Sequence, residues 1–178
     1  ASGGSAGALA PINPRTTQFL LEAGGGLIKI WDFSPELPGA AEAIRHLSGH
    51  GVVCSLAHTQ ATRAQGRAAV EAGARLVTHM FDVFYHTPEA SDPDPDIYAA
   101  GLVDYLLVED RLVCEIIGDG THVDPMLVGK AFRCKPPSGL AFVTDSNYGA
   151  GLAPGRYTLP GDWGDVQVGE PNEGVRLP

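Results

Sequence analysis

Three apolar segments of the chain end on side chains that can bind a metal ion or move a proton. "VVCSLAH" ends on His58, "RLVTH" ends on His79 and "LAFVTD" ends on Asp145. Imidazoles and a carboxylate from different strands are suitable ligands for Zn²⁺ or a similar divalent ion. Such an ion lowers the pKa of its bound water toward about 7, and a nearby carboxylate can take that proton and return it to a leaving group. The set therefore indicates metal-assisted hydrolysis of an amide or an ester.

Polar residues follow two further apolar segments. Asp32 lies in "LIKIWDF", and Asp119 and His122 lie in "IIGDGTHVDP". A histidine beside a scissile bond can donate a hydrogen bond to a carbonyl oxygen as negative charge develops on it. Each residue also has a structural explanation, because a histidine that ends a strand commonly only hydrogen-bonds its surroundings, and Asp145 before Ser146 can begin a turn. The recurrence of such endings in one chain favours a shared site.

A shared site requires a scaffold that brings the ends of several strands together. Continuous apolar runs predict strands that are covered on both faces. These runs lie at 27–33, 52–57, 75–81, 111–118 and 139–145. Segments with helical spacing alternate with them, at 39–50, 61–73, 97–107 and 124–133. The steady alternation of strand and helix predicts an α/β fold with a parallel sheet.

Residues at the ends of two predicted helices match known capping preferences. Thr59 is the predicted N-cap of the helix at 61–73, and Gly73 is its predicted stop. Asp124 is the predicted N-cap of the last helix, with Pro125 in its first turn. Both helices therefore have defined starts, which supports their placement between strands.

Two regions read as irregular. Residues 82–97 include "YHTPEASDPDPD", whose three prolines and four acidic residues predict a surface loop. The region after residue 145 is rich in glycine and proline, and it predicts a loop with one short strand at "RYTL".

The alternation fits both an open doubly wound sheet and a (β/α)₈ barrel of the TIM type. In either architecture the ligand site lies beyond the carboxyl ends of the strands. A complete barrel takes about 250 residues. The 178 residues of this chain carry about five βα units, so if the fold is a barrel we expect the chain to be part of one.

The charge composition argues against two classes of partner. The chain has 12 basic and 21 acidic residues, and its net charge is −9. A general nucleic-acid binder needs a basic patch, and an acidic surface gives no support for docking on an anionic membrane. No segment reaches the ~18 to 20 apolar residues of a membrane span. The acidity itself says little about the ligand, and the small-molecule substrate that we predict as partner follows from the hydrolytic set of residues.

The cysteines and the N-terminus predict a cytoplasmic protein. Cys54 and Cys114 lie inside apolar runs, and no two of the three cysteines have the spacing of a metal knuckle. We interpret them as free thiols of a reducing compartment. The opening "ASGGSAGALAP" has no basic region ahead of an apolar one, so we do not expect a secretory signal. Its glycine-rich start leads us to expect that the chain is part of a longer protein.

Five motifs, in order along nearly the whole chain, resemble the N-acetylglucosamine-6-phosphate deacetylase group of the amidohydrolase superfamily. They are "GGGLIKIWDFSPEL", "LAHTQAT", "GARLVTHMFD", "IIGDGTHVDP" and "FVTDSNYGAGLAPGRYTL". The second is similar to the group's Gly-His-Ser-x-Ala-Thr segment, and the third to its Thr-His-Leu-Phe-Asn segment. The resemblance implies a (β/α)₈ barrel and removal of an acetyl group from an N-acetylated amino sugar phosphate.

The resemblance also implies roles for individual residues. His58 and His79 would be ligands of a divalent metal, usually zinc, with iron as the alternative. Asp145 would be the general base and then the general acid for the metal-bound water. His122 would contact the substrate and polarise the scissile carbonyl.

The chain departs from the group in three respects. The group's third metal ligand, a glutamate in a His-x-Glu-Gly-Pro segment, would fall just before residue 1, and we do not find the group's early strands or its small β-sandwich domain in the sequence. We therefore expect residues 1–178 to form one partial barrel domain. Asp82 stands where the group has asparagine, and "HTPEASDPDPD" replaces its Gly-Arg-Glu-Pro-Gly segment.

These departures leave two alternatives to the sugar-phosphate substrate. The same machinery would act on another N-acyl or cyclic amide, which an acidic loop near the site would favour over a phosphate. Otherwise the chain is a catalytically incomplete barrel fragment that needs missing segments or a partner copy, as in a homodimer.

Overall fold

The predicted apolar segments form a parallel sheet. A computed structural model of the chain describes residues 12–89, 99–146, 149–158 and 164–170. The sheet contains β1 (Ile30–Phe33), β2 (Val53–Leu56), β3 (Leu76–Val77), β4 (Val113–Ile117) and β5 (Leu140–Val143). The helices are α1 (Pro14–Ala23), α2 (Ala40–Gly49), α3 (Arg63–Ala72), α4 (Leu102–Val108) and α5 (Pro125–Cys134). These elements belong to a first compact unit that ends at Val143, and a second unit begins at Thr144.

The order of the strands distinguishes between the two expected architectures. The order is β1-β2-β3-β4-β5, and each neighbouring pair is parallel. A doubly wound sheet reverses its strand order at a switch point, and the described sheet contains no reversal. Sequential strands joined by right-handed crossovers place their helices on one face, as in consecutive units of a (β/α)₈ barrel. The expected fold class, a (β/α)₈ type with about five units, is confirmed.

The face of the sheet toward the helices forms the apolar core. Cys54 and Leu56 of β2 are fully buried, whereas Val53 on the opposite face is 43% exposed. Helices α2 and α3 contribute Ile44 and Val70, which are also fully buried. Burial of each large aliphatic side chain contributes about 1.5–3 kcal/mol. This layer fixes where the strands end and therefore where the residues after them lie.

The opposite face of the sheet is more polar and more exposed. It carries Asp32 of β1, whose register partner on β2 is Ser55. Ile30 on the same face of β1 is 54% exposed. In a complete (β/α)₈ barrel this face is the packed interior.

The N-cap of α3 differs from the sequence prediction. Thr62 caps the helix, because its hydroxyl accepts a hydrogen bond from Gln65 N while the Gln65 side chain accepts from Thr62 N. The predicted cap, Thr59, is wrong, since its buried hydroxyl instead donates to Glu36 Oε2 at 2.6 Å. A capping box satisfies two backbone donors at once, which a lone threonine three residues earlier cannot do. Gly73 ends the helix with φ of 125°, as predicted.

The remaining predicted elements differ from the structure mainly in where they begin and end. Asp124 caps α5 by accepting from Met126 N at 2.7 Å. Strand β3 is limited to two residues because the chain turns after Thr78. Helix α1 was not predicted, although Asn13 caps it by accepting from Arg15 N at 2.9 Å. The predicted loop at 82–97 lies partly outside the described residues.

The second unit contains one described hairpin. Strand β6 (Gly155–Thr158) pairs antiparallel with β7 (Asp165–Val168). The strand predicted at "RYTL" corresponds to β6, whereas β7 was not predicted. The Asp165 carboxylate accepts from Thr158 Oγ1 at 2.8 Å and from Arg156 Nε at 3.0 Å, which ties the two strands together.

The thiols are free, as the sequence predicted. Cys54 and Cys114 are buried and Cys134 is exposed. Burial raises the pKa of the Cys114 thiol to about 11 and also raises that of Cys54. Along the part of the chain that the structure describes, no helix is long and apolar enough to cross a membrane.

Candidate active site

The residues predicted to carry the chemistry share an unusual backbone conformation. His58 follows β2 with φ of 42°, His79 follows β3 with φ of 34°, and Asp145 follows β5 with φ of 47°. Among the described non-glycine residues, only Phe81 and Val83 also have positive φ. Such residues cost on the order of 1–3 kcal/mol each and cluster at functional sites. The strain therefore marks five described residues, and three of them are strand-end residues that the sequence pattern had selected.

His58 and His79 lie side by side at the ends of neighbouring strands. Their ring centres are 4.6 Å apart and their planes differ by 33°. Imidazoles on one tetrahedral Zn²⁺, with Zn–N bonds of about 2.0–2.1 Å, have ring centres about 5 Å apart. His58 is exposed, so the pair is open to solvent on one side.

The His79 ring has a buried nitrogen without a partner. The residue is only 4% exposed, and within the described residues its Nδ1 atom forms no hydrogen bond. Leaving a buried polar atom unsatisfied costs about 1–3 kcal/mol. A metal ion would satisfy that nitrogen, and the neighbouring His58 ring supplies a second donor of the same kind. The pair therefore fits the divalent ion that the resemblance implies.

A carboxylate lies close to this pair. His79 and Asp82 each offer a ligand atom, and these atoms lie within 4.8 Å of one another. The backbone N–H of Asp82 donates to the His79 carbonyl at 3.0 Å, so a tight turn holds the two residues together. The first unit thus contains a candidate histidine and aspartate metal site.

The segment that carries His58 is held from β1. Ser34 Oγ donates to the His58 carbonyl at 3.0 Å. Glu36 accepts from Thr59 Oγ1 at 2.6 Å and from Gln60 N at 2.9 Å. Sequence reasoning missed these supports, although "SPEL" directly follows the predicted first strand.

A chain of hydrogen bonds crosses the polar face of the sheet beneath His79. Thr78 Oγ1 donates to Asp32 Oδ1 at 2.8 Å. Because the Thr78 hydrogen is directed to Asp32, Ser55 Oγ must donate to Thr78 Oγ1, which lies 2.7 Å away. Asp32, predicted only as a strand-end residue, therefore orients the residue that precedes His79.

Asp119 and His122 form a second constellation beyond β4. His122 Nδ1 lies 2.6 Å from Asp119 Oδ2. Asp119 Oδ1 accepts from the backbone N–H of Thr121 at 2.8 Å and of His122 at 3.0 Å. These backbone hydrogen bonds, from His122 first and Thr121 second, together with the His122 ring, lower the pKa of Asp119 to about 2. The ionised carboxylate fixes the hydrogen on Nδ1, which leaves Nε2 for a substrate.

The described part of the acidic loop is bound to the protein itself. Glu89 accepts from Ala64 N at the start of α3 and lies 3.5 Å from Arg63. A carboxylate at a helix N-terminus is stabilised by the helix dipole. The charge that was expected to repel a phosphate is therefore partly neutralised in the case of Glu89.

The structure places the predicted site residues in three groups. His58 and His79 lie together, and His122 pairs with Asp119. Asp145 lies two residues beyond β5, in the second unit. The ring centres of His46 in α2 and His50 just after it are also close, at 4.5 Å. Each of these exposed rings has a hydrogen-bond partner, since His46 Nε2 lies 2.8 Å from Gln18 Oε1 and His50 Nδ1 lies 2.8 Å from the His46 carbonyl.

Comparisons with known proteins agree with the fold and the motifs. No protein-family model matches the chain. The chain is 36% identical over 140 residues to N-acetylglucosamine-6-phosphate deacetylase of Bacillus subtilis, which covers 77% of this chain and 33% of that protein. It is 34% identical over 141 residues to N-acetylgalactosamine-6-phosphate deacetylase of Escherichia coli, covering 79% and 34%.

A solved structure gives the same result. A mutant N-acetyl-D-glucosamine-6-phosphate deacetylase of Mycobacterium smegmatis, in complex with N-acetyl-D-glucosamine-6-phosphate, matches with a TM-score of 0.75 and 31% identity. The match covers 88% of this chain and 39% of that one. The chain thus spans about a third of the length of the curated relatives it matches.

Proposed function

The chain is a relative of the N-acetylglucosamine-6-phosphate deacetylases of the amidohydrolase superfamily, and we propose that it carries the metal-binding and proton-transfer residues of such an enzyme. The reaction is hydrolysis of an acetamide, in which water attacks the acetyl carbon, the C–N bond breaks, and acetate and a free amine leave. The observation that carries the proposal is the buried Nδ1 of His79, which has no hydrogen-bond partner among the described residues and lies beside the His58 ring.

His58 and His79 hold the divalent ion, for which zinc and iron are the candidates. Imidazole nitrogen suits both metals. When bound, the ion supplies Lewis-acid polarisation and an acidified water at neutral pH. The strained backbones of His58 and His79 place both rings at the same end of the sheet. This arrangement supports a site prepared before the ion arrives.

Asp145 and His122 carry the proton transfer and the charge stabilisation. Asp145 takes a proton from the attacking water and returns it to the amine nitrogen as the C–N bond breaks. With its Nδ1 hydrogen held by Asp119, the His122 ring that also carries a hydrogen on Nε2 donates from Nε2 to the acetyl oxygen as negative charge develops there. Asp119 keeps the His122 ring in one orientation through its 2.6 Å contact with Nδ1.

The first test is the metal content of the purified chain after exhaustive dialysis, followed by acetate release from N-acetylglucosamine-6-phosphate. We expect about one zinc or iron per chain and activity that Asp145→Asn lowers by at least a hundredfold. Asp110→Asn, at an exposed aspartate in the turn before β4, is the matched control and should retain activity. A chain that neither contains nor takes up a metal would overturn the proposal.

In a second candidate function, the same metal-binding and proton-transfer residues act on a different substrate. Support for it comes from the similarity to the Escherichia coli N-acetylgalactosamine-6-phosphate deacetylase. Parallel assays with both sugar phosphates, with their unphosphorylated forms and with a cyclic amide compare these substrates directly. The substrate with the highest kcat/KM identifies the class.

We also propose that residues 1–178 form one partial barrel domain of a cytoplasmic enzyme with a small-molecule substrate. The alternative of an incomplete barrel that needs a partner copy is favoured by the exposed apolar residues Ile30 and Val53 on the sheet's open face. Sedimentation of the purified chain separates a monomer from a homodimer.

A further inference from the structure

We propose that Asp82 is a protein ligand of the ion held by His58 and His79, an inference that rests on the proposed function. In the deacetylase group that the sequence resembles, asparagine stands at this position. An amide oxygen is neutral, whereas a carboxylate offers a charged oxygen that binds Zn²⁺ at about 2.0–2.2 Å. The change would convert a neighbour of the site into a ligand.

The turn after β3 holds Asp82 beside His79 and ties the chain that follows Asp82 to the segment that carries His58. On one side, the Asp82 N–H donates to the His79 carbonyl at 3.0 Å. On the other side, the Val83 carbonyl accepts from Thr59 N at 3.0 Å, and Thr59 directly follows His58. The backbone on either side of Asp82 is therefore fixed to the two strand ends that carry the imidazoles.

This turn is also where the backbone is most strained. His79, Phe81 and Val83 alternate with φ values of 34°, 78° and 53°. For β-branched and bulky residues this conformation is a genuine outlier. Asp82 lies inside this strained turn, and its ligand atom lies within 4.8 Å of that of His79.

The charges around Asp82 leave room for a cation. The side chain is half-buried, and within the described ranges no basic residue forms an ion pair with it. Although the carboxylate is near His79, it accepts no hydrogen bond from the buried Nδ1 atom. One divalent ion would satisfy the orphaned nitrogen and neutralise the carboxylate together. Two imidazoles and a carboxylate with an open position form the ligand set of a catalytic zinc site.

The test measures metal binding, with no substrate present. Co²⁺ is titrated into the metal-free chain and followed by calorimetry and by its visible absorption, for the unmodified protein, Asp82→Asn and Asp82→Glu. We expect Asp82→Asn to weaken Co²⁺ binding by at least tenfold and to change the absorption band, whereas Asp82→Glu retains most of the affinity because it keeps the carboxylate.

Two matched variants separate ligation from a general charge effect. Asp110→Asn removes a remote exposed carboxylate and should leave binding unchanged. Asp32→Asn removes the negative charge that lies 2.8 Å from Thr78 Oγ1, next to His79, and should weaken binding by less than Asp82→Asn. Equal effects of Asp32→Asn and Asp82→Asn would contradict direct ligation.

A measurement on the unmodified chain covers the case in which Asp82→Asn fails to fold. Carboxyl groups are labelled with a carbodiimide and an amine, with and without Zn²⁺, and the sites are mapped by mass spectrometry. We expect Zn²⁺ to protect Asp82 and to leave Asp110 labelled. Tight Co²⁺ binding that depends on His58 and His79 but not on Asp82, with Asp82 unprotected, would overturn this inference and leave the proposed function standing. No metal binding by the unmodified chain would overturn both.

Discussion

The Nδ1 atom of His122 lies 2.6 Å from Oδ2 of Asp119, and the same carboxylate accepts two backbone hydrogen bonds from Thr121 and His122. The Asp119 side chain therefore binds both the ring and the backbone of the loop after β4. Its pKa of about 2 keeps it ionised at neutral pH. The hydrogen on His122 Nδ1 is thus accepted by a group that does not itself titrate near neutral pH.

Asp119→Asn should lower kcat by roughly tenfold or more, because a neutral amide stabilises the ring with hydrogens on both nitrogens less than a carboxylate does, and that ring is the stronger donor to the acetyl oxygen. The ¹⁵N chemical shifts of the His122 ring report which nitrogens carry hydrogens in the absence of substrate. We expect them to change in Asp119→Asn, and we expect the double variant with His122→Ala to be no worse than His122→Ala alone. Unchanged ring shifts with a full loss of activity would contradict the positioning role.

Two helical glycines should respond oppositely to alanine. At Gly66 in α3 an added Cβ would lie 2.2 Å from Leu102 Cδ1, whereas at Gly129 in α5 nothing lies within 4 Å. Gly129→Ala should raise the free energy of unfolding by about 0.5–1 kcal/mol through helix propensity. Gly66→Ala should lower it by about 1–3 kcal/mol through overpacking. Urea denaturation measures both changes.

A double variant identifies the cause at Gly66. If the clash with Leu102 is responsible, Gly66→Ala combined with Leu102→Ala should be more stable than the sum of the single effects predicts. Additive effects would place the cost elsewhere in α3.

The stability of the first unit should fall in acid partly through Glu109. The Arg111 side chain, Arg111 N and Tyr105 all donate to the Glu109 carboxylate, and the Arg111 side chain does most to lower its pKa from 4.5 to about 2. The folded pKa lies below the unfolded one, so this stabilisation is present above pH 4.5 and is lost as the pH falls toward 2. Screening by solvent keeps it below about 1 kcal/mol.

Glu109→Gln should therefore be less stable than the parent chain at neutral pH, and the difference should shrink between pH 4.5 and 2. Free energies of unfolding at several pH values give the comparison. Glu42→Gln, on the exposed side of α2, serves as control and should show no such pH dependence. A difference that stays constant with pH would rule out titration of Glu109 as its source.

Replacing His79 should give an unusual order of stability. At most positions glycine is less stable than alanine by about 0.5–1 kcal/mol. At His79 φ is 34°, close to the left-handed region, where a Cβ costs about 1–2 kcal/mol. In the metal-free chain, His79→Gly should therefore unfold at a higher temperature than His79→Ala. Val70 in α3 is the control, since Val70→Gly should be the less stable of its pair.

The fold was predictable where burial alone sets the pattern. Strands β2 and β4 were found within one residue or two at each end, because continuous apolar runs such as "VVCSL" have few other uses in a chain of this composition. The periodicity alone could not decide between a barrel and a doubly wound sheet, since that choice depends on which strands pair, and pairing leaves no mark on a single strand. The expectation of a barrel came from the resemblance of the five motifs.

The residues of the candidate site were predictable from the sequence, whereas the hydrogen bonds that hold their backbone in place were not. His58 and His79 stand at the ends of apolar runs, and the strand-end rule finds them. The roles of Glu36 and Asp32 arise from hydrogen bonds to Thr59 and Thr78, between 23 and 46 residues away in sequence. The wrong prediction of Thr59 as the N-cap of α3 has the same cause, because the Thr59 hydroxyl donates to the distant carboxylate of Glu36.

The buried thiols on β2 and β4 can report local opening of the protein at two separate places in the sheet. Cys134 is exposed and would react with a disulfide reagent at once, whereas Cys54 and Cys114 lie between sheet and helices with raised pKa values. Each can react only when its part of the helical layer lifts away. The rates of thiol exchange at these two cysteines would therefore measure how often the helical layer opens over β2 and over β4. The two openings are measured separately, and no mutation is needed.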